Sequence, residues 1–322
     1  MTRLGVLRSV ILLLLWLSNA RVTMAATDDF SARLDSLWDF DSPAKSEARF
    51  RAELARHAPG TRQARETTTQ LARSLGLQRR FDDADAVLDA LVATLEQPPA
   101  RVRVRYMLER GRIRNSSGKP QDAVRWFNHA VAAAADDTEP DADFYRVDAL
   151  HMLGIAAPEE ERLDWNLKAL AAADASSESR ARGWRGSLLH NLGWTFHERG
   201  DFDRALDDWQ KALAAREASG DAKRIHVAKW TVARGLRSLG RLDEAETIQR
   251  ALAAEMERDG SSDGFVYEEL AEIALARHDT AGARRWAAKA YAILKDDVWL
   301  KANEERRLAR LGELGGAAQS PR

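Results

Sequence analysis

The sequence predicts an all-α solenoid of about six stacked helical hairpins with capping helices at both ends, and three observations predict it. A small residue is followed twelve positions later by a second one at Ala72/Ala84, Gly111/Ala123, Gly193/Ala205, Ala233/Ala245 and Ala271/Ala283. Turn-forming segments stand between the members of each pair, at 80–83, 118–121, 200–203, 240–243 and 278–281. The pairs recur every 38 to 40 residues, or twice that where one unit has diverged. A fixed period of this kind marks a repeat array in which each unit buries its apolar face only against its neighbours.

The elements follow in chain order. Arg3 and Arg8 precede the apolar run Val10–Leu17, and small residues sit at cleavage-like spacing at Ser18/Ala20 and Thr23/Ala25. This pattern predicts a signal peptide over 1–25 and a periplasmic or secreted product. Eight apolar residues are too few to span a bilayer, which needs roughly 20, so no stable membrane span is expected. The alternative start at Met24 would give a cytoplasmic regulator of the same fold. N-terminal capping helices are expected over 26–60 (Ser31–Trp38 and Ala44–His57) and the repeat array over 61–297. A C-terminal capping helix (Trp299–Leu311) and a flexible tail from Gly315 complete 298–322.

The clearest unit, LLHNLGWTFHERGDFDRALDDWQKAL, places Gly193, Phe196, Gly200, Phe202, Ala205, Trp209 and Ala212 in order. Two antiparallel helices approach closely only where one presents Gly or Ala, and large side chains then fill the grooves beside the contact. This unit resembles the tetratricopeptide repeat, and its length resembles the longer-helix variants of kinesin light chain. The resemblance covers roughly residues 65–297 and implies a right-handed superhelix. One unit departs from the pattern. Gly154 to Ala169 spans 15 residues where Gly193 to Ala212 spans 19, and Pro158 with Glu159–Glu161 is expected to shorten its turn.

Composition excludes several classes of function. The 322 residues carry 49 basic against 50 acidic side chains, a net charge of −1, which lacks the basic footprint of a nucleic-acid binder. The absence of cysteine excludes disulfides, thiolate zinc sites and thiol catalysis. No phosphate-binding glycine loop, HExxH or GxSxG motif occurs. His190 and His197 share a helix face but stand about 10.5 Å apart, too far for one metal. The Arg101–Arg105 run and the Glu268-Glu269 pair read as solvated helix faces. No cofactor, no metal and no catalytic residue is therefore expected.

The resemblance implies a concave groove lined by the first helix of each hairpin, taking a peptide or protein. In register, that lining is Thr69 and Arg73, then Leu108, Arg112 and Asn115, then His151 and Ile155. It continues with His190, Asn191, Trp194 and His197, then Trp230, Arg234 and Arg237, and ends with Glu268 and Glu272. Trp and Arg dominate binding hot spots, which suits a ligand with apolar anchors and an acidic group oriented by Arg234 and Arg237. Chaperone-tail recognition needs a Lys/Asn/Arg set, of which only Asn191 is matched here; His151, Ile155, Val227 and Thr231 occupy the other positions. The expected function is a non-catalytic adaptor. A rival enzyme would use His151, His190, His197, Arg234 and Glu268. The oligomeric state is open.

Overall fold

The computed structural model describes residues 30–93, 99–135, 139 and 141–317, and among them no strand occurs. The expected signal peptide and residues 318–322 of the expected tail lie outside the described residues. The chain packs as two units, the first ending at Trp184 and the second beginning at Arg185. That boundary falls inside the span expected for the repeat array.

Unit 1 opens with α1 (30–36) and α2 (Pro43–Leu54). Three hairpins follow: α3 (Arg62–Leu77) with α4 (Phe81–Val92), α5 (Ala100–Ser116) with α6 (Pro120–Ala135), and α7 (Ala142–Ala156) with α8 (Glu159–Ala175). The short α9 (Ser179–Arg182) closes it. Unit 2 contains α10 (Arg185–Glu198) with α11 (Phe202–Ser219), α12 (Ala222–Ser238) with α13 (Leu242–Asp259), and α14 (Gly264–Ala276) with α15 (Thr280–Leu294). Helices α16 (Val298–Asn303) and α17 (Glu305–Gly315) end it. In each hairpin the first helix is called A and the second B.

The twelve-residue pairs are where A and B touch. Ala72, Ala84, Ala123, Ala205, Ala233, Ala245, Ala271 and Ala283 are all fully buried. Where A presents glycine, a B side chain takes the room a Cβ would need. A Cβ at Gly111 would stand 2.3 Å from the Phe127 ring, one at Gly193 2.3 Å from the Trp209 indole, and one at Gly154 2.4 Å from the Asn166 amide. The hydrogen-bonding B side chains also reach the A backbone. Trp209 Nε1 donates to the carbonyl of His190 at 3.1 Å and Asn166 Nδ2 to that of Gly154 at 3.4 Å.

Five of the six hairpin turns share one backbone device. Arg79, Gly118, Gly200, Gly240 and His278 each have φ between 61° and 80° and each stands five residues before its helix-B alanine. A left-handed residue at this point ends helix A and satisfies its last carbonyls. The α7/α8 turn lacks it: Ala157 is extended and Pro158 leads directly into Glu159. This is the physical basis of the shortened unit.

Four sequence expectations are corrected here. The α1 segment ends at residue 36, before Trp38, and α2 ends at Leu54, before His57. The C-terminal cap is two helices broken at Glu304, whose φ of −134° is not helical, and α17 extends to Gly315. Arg101, Arg105 and Arg110 are buried, because α5 packs on α3, α6 and α7 and has little free surface. Glu268 and Glu269 are also buried, at 6 % and 1 % exposure, with arginines as partners.

Candidate functional site on the A helices

The A helices of unit 2 bring one aromatic cluster and one charge ladder onto a common face. Trp194 on α10 is half-buried, with its ring centroid 5.1 Å from Trp209, 5.7 Å from His197 and 6.3 Å from Trp230 of α12. Its Nε1 donates to His190 Nε2 at 3.2 Å. Trp230 Nε1 donates to the Phe265 carbonyl at 3.1 Å, which fixes that indole against α14. The Arg234 guanidinium lies 5.3 Å from the Trp194 ring and 5.8 Å from the Trp230 ring, so one cation serves both faces. Both tryptophans thus pack against a neighbouring repeat and still keep part of their surface exposed.

The ladder runs along the same face from repeat to repeat. Arg234 donates to Glu269 Oε1 at 2.6 Å and Arg237 to Oε2 at 2.7 Å. Arg307 forms two 2.7 Å hydrogen bonds to Glu268, and Arg310 donates to Glu272. The acidic group expected to meet Arg234 and Arg237 is therefore supplied by the chain itself. Glu269 was legible only as a carboxylate 35 residues after Arg234, one repeat further on.

Burial governs the histidines. His190 is pushed down to about 4 by burial and then by Arg216, so its imidazole is neutral and can accept from Trp194. His197 is lowered by burial and by Arg234 and Arg237, with Glu269 opposing, and its Nε2 is 2.8 Å from Ser238 Oγ. Asn191 is half-buried on α10, where its carbonyl accepts from Thr195 Oγ1 at 3.1 Å.

The remaining expected residues lie in unit 1. Arg112 bridges Glu109 of its own helix and Asp148 of α7, both at 2.6 Å. Asp148 escaped the sequence reading, although it too stands one repeat beyond its partner. His151 lies 5.0 Å from the Trp184 ring, with its pKa lowered by burial. Asn115 is half-buried near the end of α5. The residues of the rival enzyme are divided: His151 belongs to unit 1, and His190, His197, Arg234 and Glu268 to unit 2. Among the described residues no group of three or more His, Asp or Glu is placed to hold a metal ion, and no helix is long and apolar enough to cross a membrane.

Comparison with known proteins agrees with this geometry. A family model described as tetratricopeptide repeat matches residues 186–219, the α10/α11 hairpin. A search of curated proteins by sequence finds no match. Among solved structures, the chain is similar to NprR in complex with its cognate peptide NprX, with TM-score 0.54 and 14 % identity over 92 % of this chain and 86 % of that one. It is similar to PilW, a type IV pilus biogenesis factor, with TM-score 0.54 and 20 % identity over 74 % of this chain and 98 % of the other. It also resembles the signal transduction ATPase PH0952 of Pyrococcus horikoshii, which has a tetratricopeptide repeat sensor. That likeness has TM-score 0.63 and 13 % identity over 84 % of this chain, but only 41 % of the other. With its repeat spacing, hairpin packing and one matched repeat, the chain has the tetratricopeptide-repeat fold, and residues 186–219 match the repeat itself.

Proposed function

We propose that the protein is a non-catalytic scaffold that holds a peptide or protein partner on its A-helix faces, and that it works in the bacterial periplasm. The observation that carries this reading is the half-buried pair Trp194 and Trp230 with Arg234 set against both rings. Large aromatic faces already fixed by hydrogen bonds lose little entropy on binding. NprR, which shares the fold, is solved with a bound peptide, and that supports the same use here. The charges beside the tryptophans are matched internally, so the unit 2 face suits apolar anchors. The apolar run at Val10–Leu17 supports export.

The test is affinity capture from a native cell envelope, comparing wild type with Trp194→Ala/Trp230→Ala checked for fold by circular dichroism. A partner held by wild type and released by the folded variant is the expected result. Identical capture by both, or none by either, would sink the reading. Export is checked separately: Leu13→Arg/Leu14→Arg should leave the chain in the cytoplasm, and an unchanged periplasmic fraction would remove the leader.

A further inference from the structure

A cleft of about 600 Å³ lies in unit 1, where α7 packs against both α6 and α8. Its volume falls in the range that takes a small organic ligand, roughly 300–1,000 Å³. Helix α7 gives it Asp143, Arg146 and Leu150, which stand three and four residues apart and so share one helix face. Helix α8 gives it Trp165, Lys168, Ala171, Ala172 and Ala175 at the same kind of spacing, and α6 adds Val131. The alanines leave the room, and Leu150, Val131 and Trp165 make most of the surface apolar.

The charged groups of the cleft are spread along its length. Ser176 meets Asp143 and Asn166 meets Gly154, so α7 and α8 run antiparallel. At one end Asp143 Oδ2 accepts from Ser176 Oγ at 2.6 Å, and Glu178 nearby accepts from the Phe144 backbone N–H at 3.1 Å. Lys168 precedes Ser176 by eight residues, about 12 Å along the helix axis. Its ammonium lies 4.3 Å from the Trp165 ring centroid and 2.6 Å from Asp164 Oδ2. An ammonium has three donors, so two remain for a ligand. Trp165 Nε1 donates to Glu161 Oε2 at 3.2 Å, which helps to fix the indole as a wall. Arg146 stands between the two ends. It is exposed and makes no hydrogen bond or ion pair among the described residues. The cleft therefore carries two cations against one carboxylate, and that carboxylate already holds a hydroxyl.

We propose that this cleft binds a small amphiphilic carboxylate, with its chain against Leu150, Val131, Trp165 and the alanines and its head on Arg146 beside Lys168. The planar guanidinium fork matches two carboxylate oxygens. A cationic head on the same chain would meet two like charges. The site uses neither Trp194 nor Trp230 and does not depend on the scaffold reading.

Isothermal titration of the full chain with sodium decanoate tests the proposal. Decyltrimethylammonium serves as a similar chain under the opposite charge, and acetate as the head alone. The expected result is saturable one-to-one binding of decanoate, at least tenfold tighter than either control. Arg146→Gln should weaken it at least fivefold by removing the fork. Ala171→Trp, at an exposed position, should abolish it by filling the cleft, and Trp194→Ala/Trp230→Ala should leave it within twofold. Four results overturn the site: no saturable decanoate binding, equal binding of the two long-chain probes, binding lost in the tryptophan variant, or binding indifferent to Arg146→Gln in a chain with wild-type circular dichroism. Decanoate binding in a chain that captures no partner would leave this site standing while the scaffold reading fails, and partner capture without decanoate binding would do the reverse.

Discussion

The Trp209 indole occupies the space that a side chain at Gly193 would need: a Cβ there would stand 2.3 Å from its Nε1 and 2.4 Å from its Cδ1. The ring cannot retreat easily, because it is fully buried and its Nε1 is tied to the His190 carbonyl. Gly193→Ala should therefore force the ring from its position and destabilise unit 2 by about 1–3 kcal/mol, the usual range for overpacking. Gly235 meets the other side of the same indole, but at 3.1 Å, and Gly235→Ala should cost less. Urea unfolding of the two variants checks the order, and equal effects would show that the ring is not the determinant.

The five left-handed turn residues give a second prediction. Three are glycine, but Arg79 and His278 adopt φ of 61° with a Cβ in place, a conformation that costs an ordinary residue about 1 kcal/mol. His278→Gly should stabilise the protein by up to about 1 kcal/mol, since the relief is partly offset by the greater freedom of glycine in the unfolded chain. Gly200→Ala should do the opposite at the equivalent position. No atom lies within 4 Å of the added Cβ there, so its cost is purely that of the backbone. Thermal midpoints moving in the same direction for both variants would contradict this account.

The hairpin contacts were legible because they rest on residue size at a fixed spacing: Gly193 and Ala205 announce close approach whatever surrounds them. The charge ladder was not, because an arginine in a helix looks the same to a reader whether its helix is covered on one side or on several. Arg105 and Glu269 are buried because α5 and α14 each meet several other helices, and that number is a property of the stack. The tryptophans fell between these cases. Their register put Trp194 and Trp230 on the A-helix face, but the cation shared between them depends on how Arg234 reaches back along α12.

Glu269 anchors two arginines at 1 % exposure, and its removal leaves both without their hydrogen-bonded carboxylate. Glu269→Ala should destabilise unit 2 by about 2–3 kcal/mol, below the full range for a buried pair because the arginines are roughly one-quarter exposed. Replacing all three residues together with apolar side chains should cost less than Glu269→Ala alone, since no unpaired charge remains. A triple variant weaker than the single one in denaturant unfolding would show that the ladder itself contributes the stability.

His190 couples the Trp194 position to pH. Its folded pKa of about 4 lies below the ordinary 6.5, so the native imidazole stays neutral while the unfolded one takes a proton. Above pH 6.5 neither state is protonated and the contribution is fully present. As the pH falls from 6.5 towards 4 the unfolded chain gains a proton the native state refuses, and stability drops. The loss approaches about 3 kcal/mol as an upper bound and is smaller in practice, because His190 is only half-buried. His190→Gln cannot titrate, yet its side-chain oxygen can still accept from Trp194 Nε1. Its stability should decline less steeply than that of wild type between pH 6.5 and 4.5 in urea titrations, with His151 and His197 contributing equally to both. Parallel pH profiles would mean that the His190 imidazole is protonated as readily in the fold as outside it.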